Sequence, residues 1–392
     1  HPKKAGPRYM NKTIYPSQTI GILGAGQLGK MLGQSAQKMG YRVAMYDKGT
    51  EACGFGVSHF SKIGSFDDKD NVMEFARSVD VLTYEFENIN GEILQELNTH
   101  TRLPQGASFL LTTQHRVQEK TWLNEQGIPT TRFSAVGNKD ELKTALDRFG
   151  FPAVLKTTRF GYDGKGQLRL NTPTDLEEKA EEVADLLQAE CILEAFCSFE
   201  YEASIVVARD AHGTVTCFPP AVNHHRAGIL SASLTPGCLS QTVMERMQTA
   251  AEKVAEAAEL IGVCGIEFFV TAEEDVLVNE LAPRPHNTGH YTIEGCNVSQ
   301  FDQHILAVAG RPLMPVRLLT PTLMVNILGQ HMDHVPELMR RFPDAVVHLY
   351  DKGEPKHQRK MGHFTLTDPS AERLEQLLES DPFLNEWLDA IG

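Results

Sequence analysis

Short apolar runs alternate with segments whose apolar residues recur every three to four positions, and this alternation organises the first third of the chain. Thr19-Ile-Gly-Ile-Leu-Gly24 has the pattern of a short buried strand. Over 27–39, Leu28, Met31, Leu32 and Met39 fall at helical spacing, and Gly40, free to take positive φ, ends the helix. Val43-Ala-Met-Tyr46 and Asp80-Val-Leu-Thr83 read as further strands. A strand, helix, strand series predicts a parallel sheet with helices on both faces. Residues 114–126 read as a helix closed by Gly127, with Pro129 unable to continue it.

The texture changes there. Phe151-Pro-Ala-Val-Leu-Lys156 and Leu168-Arg-Leu170 are strand patterns on either side of a glycine-rich turn at 161–167. Thr174 is read as the cap of a helix through 188. Short β-like runs at 190–196, 202–209, 214–218, 221–226 and 229–234 predict an antiparallel sheet. A long amphipathic helix over 240–261 precedes strands at 264–271 and 276–281. Strands at 321–328, 345–350 and 362–368 and a polar helical tail complete the chain. The expected organisation is multidomain α/β: a doubly wound unit over 10–112, a mixed centre over 113–312 and a small β-rich end over 313–392.

Composition narrows the field. The 392 residues are 41% hydrophobic and 22% charged, an ordinary globular mix that excludes a disordered tail or a short disulfide scaffold. Lys plus Arg number 37 against 51 Asp plus Glu, a formal charge of −14 that argues against general nucleic-acid binding. A local basic site for a small anion remains compatible with it. No run approaches the ~18 apolar residues of a membrane span. Seven cysteines without C-x-x-C spacing read as reduced thiols, and hence as a cytoplasmic protein. The first nine residues, HPKKAGPRY, are basic without an apolar core, do not read as a secretion signal, and are set aside from the fold.

Gly24-Ala-Gly26-Gln-Leu-Gly29 matches G-x-G-x-x-G between a strand and a helix, and Asp47 ends the next strand. That is the dinucleotide fingerprint with its ribose-binding acid. Taken alone it favours a nicotinamide dehydrogenase; a phosphate site for another ligand and a purely structural turn are the competing readings. A second glycine-rich stretch, KTTRFGYDGKGQ at 156–167, lacks the Walker Gly-Lys-Ser/Thr. Such a hairpin can fold over a triphosphate, with Lys156 and Lys165 supplying positive charge; a mobile surface hairpin is the plain alternative.

Glu267 and Glu280 carry the most information. A four-residue loop at 272–275 pairs 271 with 276, and counting back along both strands sets Glu267 opposite Glu280. Opposed side chains have Cβ atoms about 5 Å apart, where two like charges are destabilising unless a cation binds. Mg²⁺, a hard cation that takes carboxylate and phosphate oxygens together, fits, and Asn279 adds an amide oxygen. The competing reading sends both glutamates to solvent. Ala282-Pro-Arg284-Pro-His286-Asn-Thr-Gly-His290 follows. Its prolines restrict the backbone of Arg284, as suits a guanidinium held beside an anion.

These segments in this order resemble the ATP-grasp superfamily and, within it, the N5-carboxyaminoimidazole ribonucleotide synthetases. The markers are GILGAGQLGKML (21–32), YEFEN (84–88), Arg116 and Lys120 as R-x-x-x-K, KTTRFGYDGKGQ (156–167), EAF (194–196), GIEFFV (265–270), NELAPRPHNTGH (279–290) and KMGH (360–363). The resemblance implies an ATP-grasp fold with a biotin-carboxylase-like doubly wound N-terminal domain and a small β-rich C-terminal domain. It implies ATP-dependent carboxylation of 5-aminoimidazole ribonucleotide by bicarbonate through carboxyphosphate, in purine biosynthesis, by a homodimer.

Carried over by position, ATP falls to Arg116, Lys156, the loop Gly161, Tyr162, Asp163, Gly164, Lys165, Gly166 and Gln167, the hinge Glu194, Ala195, Phe196 and Cys197, with Glu202, His225, Asn279 and Glu280. Glu267 and Glu280 take Mg²⁺, with Mn²⁺ as a substitute. The ribonucleotide falls to Gln27, Leu28, Tyr162, Asp163, Arg284, His286, Asn287, Lys352 and Arg359; Arg284, Asp163 and Lys165 are the expected catalytic groups. On this reading the first glycine turn faces the substrate, and Asp47 has no ribose role. Thr288 replaces the family's usual Ser, and Asp351 varies the segment before Lys352. The alternatives are another ATP-grasp ligase, such as a formate-dependent glycinamide ribonucleotide transformylase, and the NAD dehydrogenase.

Overall fold

A computed structural model describes residues 12–161 and 165–391. The first sheet holds β1 (Thr19–Leu23), β2 (Arg42–Asp47), β3 (Phe60–Ile63) and β4 (Val81–Tyr84), all parallel in the order β3-β2-β1-β4. Strands buried on both faces need continuous apolar runs, and Ile20, Ile22, Leu23, Val81 and Leu82 are fully enclosed. The helix Gln27–Lys38 packs Met31, Leu32 and Ala36 onto it and stops before Gly40, at φ +89°.

The second sheet is antiparallel, with β5 (Phe133–Val136), β6 (Ala153–Thr157), β7 (Gln167–Leu170) and β8 (Cys191–Ala195) in the order β5-β8-β6-β7. Lys156 opposes Gln167, so the β6–β7 pairing closes the base of the second glycine loop. The helix expected from Thr174 to 188 is instead two pieces, Asp175–Glu178 and Ala180–Leu186, interrupted at Lys179. Thr174 has helical backbone and makes no side-chain cap bond; the Asp175 carboxylate turns back to accept the Asn171 and Thr172 N–H groups upstream of the helix.

The third sheet has nine strands: β9 (Tyr201–Arg209), β10 (Val215–Cys217), β11 (Ala221–Arg226), β12 (Ile229–Thr235), β13 (Gly262–Val270), β14 (Val276–Ala282), β15 (Thr322–Leu328), β16 (Val346–Leu349) and β17 (Lys360–Thr367). The order is β14-β13-β9-β11-β12-β15-β17-β16, with β10 on β9. The strands after 312 extend the central sheet through the β12–β15 pairing. Without that pairing, buried β12 would leave a row of backbone polar groups unmatched.

The buried helix Gln300–Val308 ties the first and third sheets together. His304 Nδ1 accepts the Val263 N–H at 3.2 Å, and its Nε2 lies 2.8 Å from the Thr83 hydroxyl on β4. Ser35 donates to Asp302 at 2.6 Å. The end of β4 is thereby fixed against the sheet that carries the paired glutamates. All seven cysteines are free thiols, and among the described residues no helix is long and apolar enough to cross a membrane.

Candidate active site

Glu267 does oppose Glu280, but by a different route from the loop count. The closing pair is Val270 with Val276, so the turn has five residues, and Glu274 takes φ +65° within it. That register alone would set Glu267 against Asn279. A bulge between Glu267 and Phe268 admits Asn279 as an extra residue on β14 and restores the carboxylate pair. Bulges of this kind re-aim side chains beside active sites. The pKa of Glu267 is raised well above the carboxylate range, first by burial and then by the facing Glu280 charge. Two opposed carboxylates form a hard-oxygen donor set, which fits Mg²⁺.

The opposite wall is built around Glu194, on β8. Its carboxylate lies 3.1 Å from the Lys120 ammonium and 2.7 Å from that of Lys156. Burial opposes its ionisation, yet the two lysines hold its pKa at about 2. Lys120 is itself buried and also reaches Thr130 Oγ1 and the Asn279 carbonyl, at 3.2 and 3.3 Å. It therefore links this wall to the carboxylate strand. Glu119 is buried beside it, its pKa raised by desolvation and by Glu280.

Arg116 grips the start of the glycine loop, donating to the carbonyls of Thr157, Phe160 and Gly161 at 2.9, 2.6 and 2.7 Å. Gly161 and Gly166 take φ +71° and +68° at the two ends of the turn. A Cβ on Gly161 would stand 2.6 Å from the Lys165 carbonyl oxygen. The sequence assignments to Tyr162, Asp163 and Gly164 lie outside the described residues. Ala195 ends β8, and Phe196 and Cys197 begin the connection to β9, with Arg169 over the Phe196 ring at 4.3 Å. Glu202 and His225 meet at 2.8 Å on β9 and β11; burial disfavours the imidazolium, but the Glu202 bond and charge win and raise its pKa.

A cavity of about 240 Å³ adjoins this region, and Gln27, Leu28, Glu85, Arg284, Asn287 and Lys360 are among its lining residues. Arg284 Nε sits 3.0 Å from Glu87. Asn287 and Asn326 exchange amide hydrogen bonds at 3.0 and 2.7 Å. His286 accepts the Thr288 N–H on Nδ1 at 3.3 Å, and its Nε2 lies 3.8 Å from Glu267. Burial and the nearby Arg284 charge keep it neutral. Lys352 donates to Gln27 Oε1 at 3.1 Å and to the Lys360 carbonyl at 2.9 Å. Burial first, then Arg359, lowers its pKa to about 8. His286, Lys352 and Arg359 stand outside the lining, and Arg359 donates to the Glu354 carbonyl at 3.4 Å.

The first glycine turn is filled from within. Glu85 accepts the Gly26 N–H at 2.9 Å, and Asp47 accepts those of Ala25 and Gly49 at 2.7 and 3.0 Å. A Cβ on Gly24, at φ +107°, would fall 2.7 Å from the Glu85 carboxyl carbon. The glycines make room for a protein carboxylate where a pyrophosphate would have to lie, which removes the dehydrogenase reading. The pKa of Glu85 rises to about 7, mainly from burial and against the Gly26 N–H bond.

Comparison with known proteins shows the family. Three family models match: a ribonucleotide synthetase preATP-grasp domain over 17–114, an ATP-grasp domain over 121–301, and a phosphoribosylaminoimidazole carboxylase C-terminal domain over 322–377. The N5-carboxyaminoimidazole ribonucleotide synthase of Bacillus subtilis (strain 168) is 41% identical over 381 residues, covering 97% of this chain and 98% of that one. The chain belongs to the N5-carboxyaminoimidazole ribonucleotide synthetase family. An ADP complex of such a synthetase superposes with a TM-score of 0.93 at 39% identity, covering 98% of this chain and all 100% of that one. The Aspergillus clavatus enzyme, solved with ADP and 5-aminoimidazole ribonucleotide, gives 0.87 at 28% identity over 96% of this chain and 100% of that one. As a member of this synthetase family, the protein is an ATP-dependent ligase with the ATP-grasp fold.

Several groups in the site escaped the sequence reading. Lys120 was visible as the lysine of R-x-x-x-K, one helical turn after Arg116, but nothing local showed that it reaches Asn279. Glu85 and Glu87 stand in the quoted YEFEN, with no sign there that one fills the glycine turn and the other pairs with Arg284. Tyr350 and Lys360 reach the cavity from a distant segment, and His290 from the end of the 279–290 motif.

Proposed function

We propose that the protein carboxylates 5-aminoimidazole ribonucleotide with bicarbonate at the expense of ATP, giving N5-carboxyaminoimidazole ribonucleotide, ADP and phosphate. One observation carries the reading. The strand bearing Glu280 runs directly into Arg284 and Asn287, which line the cavity with Lys360, so a carboxylate pair suited to a metal and a pocket with cations for an anionic acceptor are consecutive in the chain.

Glu267 and Glu280, with Asn279, would hold Mg²⁺, which when bound neutralises phosphate charge. Lys156, Lys165 and the 161–167 loop would contact and cover the ATP phosphates, with Arg116 anchoring the loop and also facing the phosphates. Glu194 to Cys197 would read the adenine and Glu202 the ribose, with His225 beside the nucleotide. Gln27, Leu28, Arg284, His286, Asn287 and Lys352 would receive the ribonucleotide, with Tyr162, Asp163 and Arg359 completing its shell.

Bicarbonate is both a weak nucleophile and a weak electrophile, so its oxygen must first take the γ-phosphoryl group. Phosphoryl transfer depends chiefly on positioning and charge neutralisation, and no Ser/His/Asp triad is called for. Carboxyphosphate is short-lived in water, so a closing loop and a walled cavity serve to exclude solvent. Arg284 and Lys165 would stabilise the negative charge that develops as the exocyclic amine captures the carboxyl group and phosphate departs, and Asp163 would accept the proton the amine loses. The three units 10–112, 113–312 and 313–392, a cytoplasmic location and a homodimer complete the proposal.

ADP release tests it. Protein is mixed with MgATP, bicarbonate and 5-aminoimidazole ribonucleotide, and each component is omitted in turn. Full rate should need all of them and be indifferent to NAD. An unchanged rate with formate in place of bicarbonate would move the assignment to a formate-using ligase.

A further inference from the structure

A second set of ligand-type side chains lies apart from the paired glutamates. Glu294 is in the short helix Thr292–Gly295, while His348 on β16 and His363 on β17 are direct register partners. One ligand atom from each of the three lies within 4.8 Å of the others. The antiparallel register sets both imidazoles on one face, stacked with centroids 4.4 Å apart. Glu294 presents both carboxylate oxygens to His348 Nε2 at 3.1 Å and accepts the Thr365 hydroxyl at 2.6 Å.

His363 supplies the independent observation. It is fully buried, and its Nδ1 is held by the Tyr350 hydroxyl at 2.6 Å. Its Nε2 has no hydrogen-bond partner among the described residues. An unmatched buried polar atom is costly, and nothing in the nucleotide chemistry above uses this one. Burial and the neighbouring His290 and His348 keep the ring neutral, the form that ligates metals.

We infer that Glu294, His348 and His363 form a site for a divalent transition cation of the zinc class, distinct from the hard-oxygen pair. Two imidazoles and one carboxylate are a zinc donor set with a position left for water. Mg²⁺ prefers oxygen ligands and goes to the other site. Tyr350 has the place of the outer partner that fixes a ligating imidazole. Ligand bonds of about 2.0–2.2 Å require the stacked His348 ring to turn, and its partial exposure leaves it free to do so. Occupancy would staple edge strand β16 to β17 and to the helix at 292–295, stiffening the wall that carries Tyr350, Lys352 and Lys360.

Dialysis against Zn²⁺ in excess Mg²⁺, with bound metal counted by mass spectrometry, tests the site, and Co²⁺ absorption reports its ligand field. The parent chain and Glu280→Gln should each retain one zinc per chain. His348→Asn and Glu294→Gln, checked for folding by circular dichroism, should lose it, and Tyr350→Phe should weaken affinity ~10–100-fold. Equal retention by folded His348→Asn overturns the proposal. So does loss of zinc in Glu280→Gln, which would put the ion at the glutamate pair, or a parent chain that retains none.

Discussion

Replacing Glu280 by Gln should make the metal-free protein more stable while abolishing turnover. Glu267 and Glu280 are register partners, a placement that sets Cβ atoms about 5 Å apart. Two unit charges at that distance repel by ~3 kcal/mol at an effective dielectric of 20 and by under ~1 kcal/mol in water. Glu280 is exposed and Glu267 is not, so the relief falls at about 1–3 kcal/mol. Loss of the attraction between Glu280 and Arg284 takes back part of it.

The sign follows from the raised pKa of Glu267. Both folded and unfolded forms are protonated below its ordinary value of 4.5. As pH rises the unfolded chain ionises first, so stability is lost until pH passes the raised value. The advantage of Glu280→Gln should therefore be present near pH 8 and vanish near about pH 5. Scanning calorimetry in EDTA at both pH values reads it, at ~2–4 °C per kcal/mol. Saturating MgATP should reverse the order, since a ligand at a hundred times its Kd adds ~2.7 kcal/mol to the parent alone. A variant no more stable than the parent near about pH 8, or equally stabilised by MgATP, would refute the reasoning.

Three further outcomes are expected. Glu194→Gln leaves Lys120 and Lys156 without their buried counter-charge; it should cost about 3–5 kcal/mol in urea unfolding and raise the KM for ATP. The native Glu194 contribution, set by a pKa held at about 2, should be fully present above pH 4.5 and be lost as pH drops from 4.5 toward that value. Gly24→Ala places a Cβ against Glu85 at positive φ and should cost ~1–3 kcal/mol, read as a lower melting temperature with the ATP KM little changed. Lys352, lowered to about 8, loses its charge as pH rises through that value, so the KM for the ribonucleotide should climb above it; a flat KM profile there would remove Lys352 from binding.

The sequence by itself determined what depends on near neighbours. A continuous apolar run placed β1, and 3.6-residue spacing placed the helix after it and the long helix Gln241–Ala257, because both signals lie within a few neighbouring residues. The G-x-G-x-x-G turn, the second glycine loop and the two glutamates flanking a short turn were all legible locally. The glutamate pairing was read correctly from a loop one residue too short, and the bulge at Asn279 made up the difference. Failures were local too: Thr174 looked like a cap, but its backbone is already helical, and the helix broke at Lys179.

Tertiary structure decided the rest. The fingerprint turn gives no sign that Glu85, 59 residues from Gly26, fills it. Lys352 meets Gln27 across 325 positions, and Lys120 reaches Asn279 across 159. β15 joins β12 and makes the C-terminal strands part of the central sheet. Such contacts depend on sheet order and burial, which set both distance and local dielectric. Neither has a period along the chain, so a motif can name the chemical groups of a site while only the packed fold settles which of them are neutral, paired or facing the ligand.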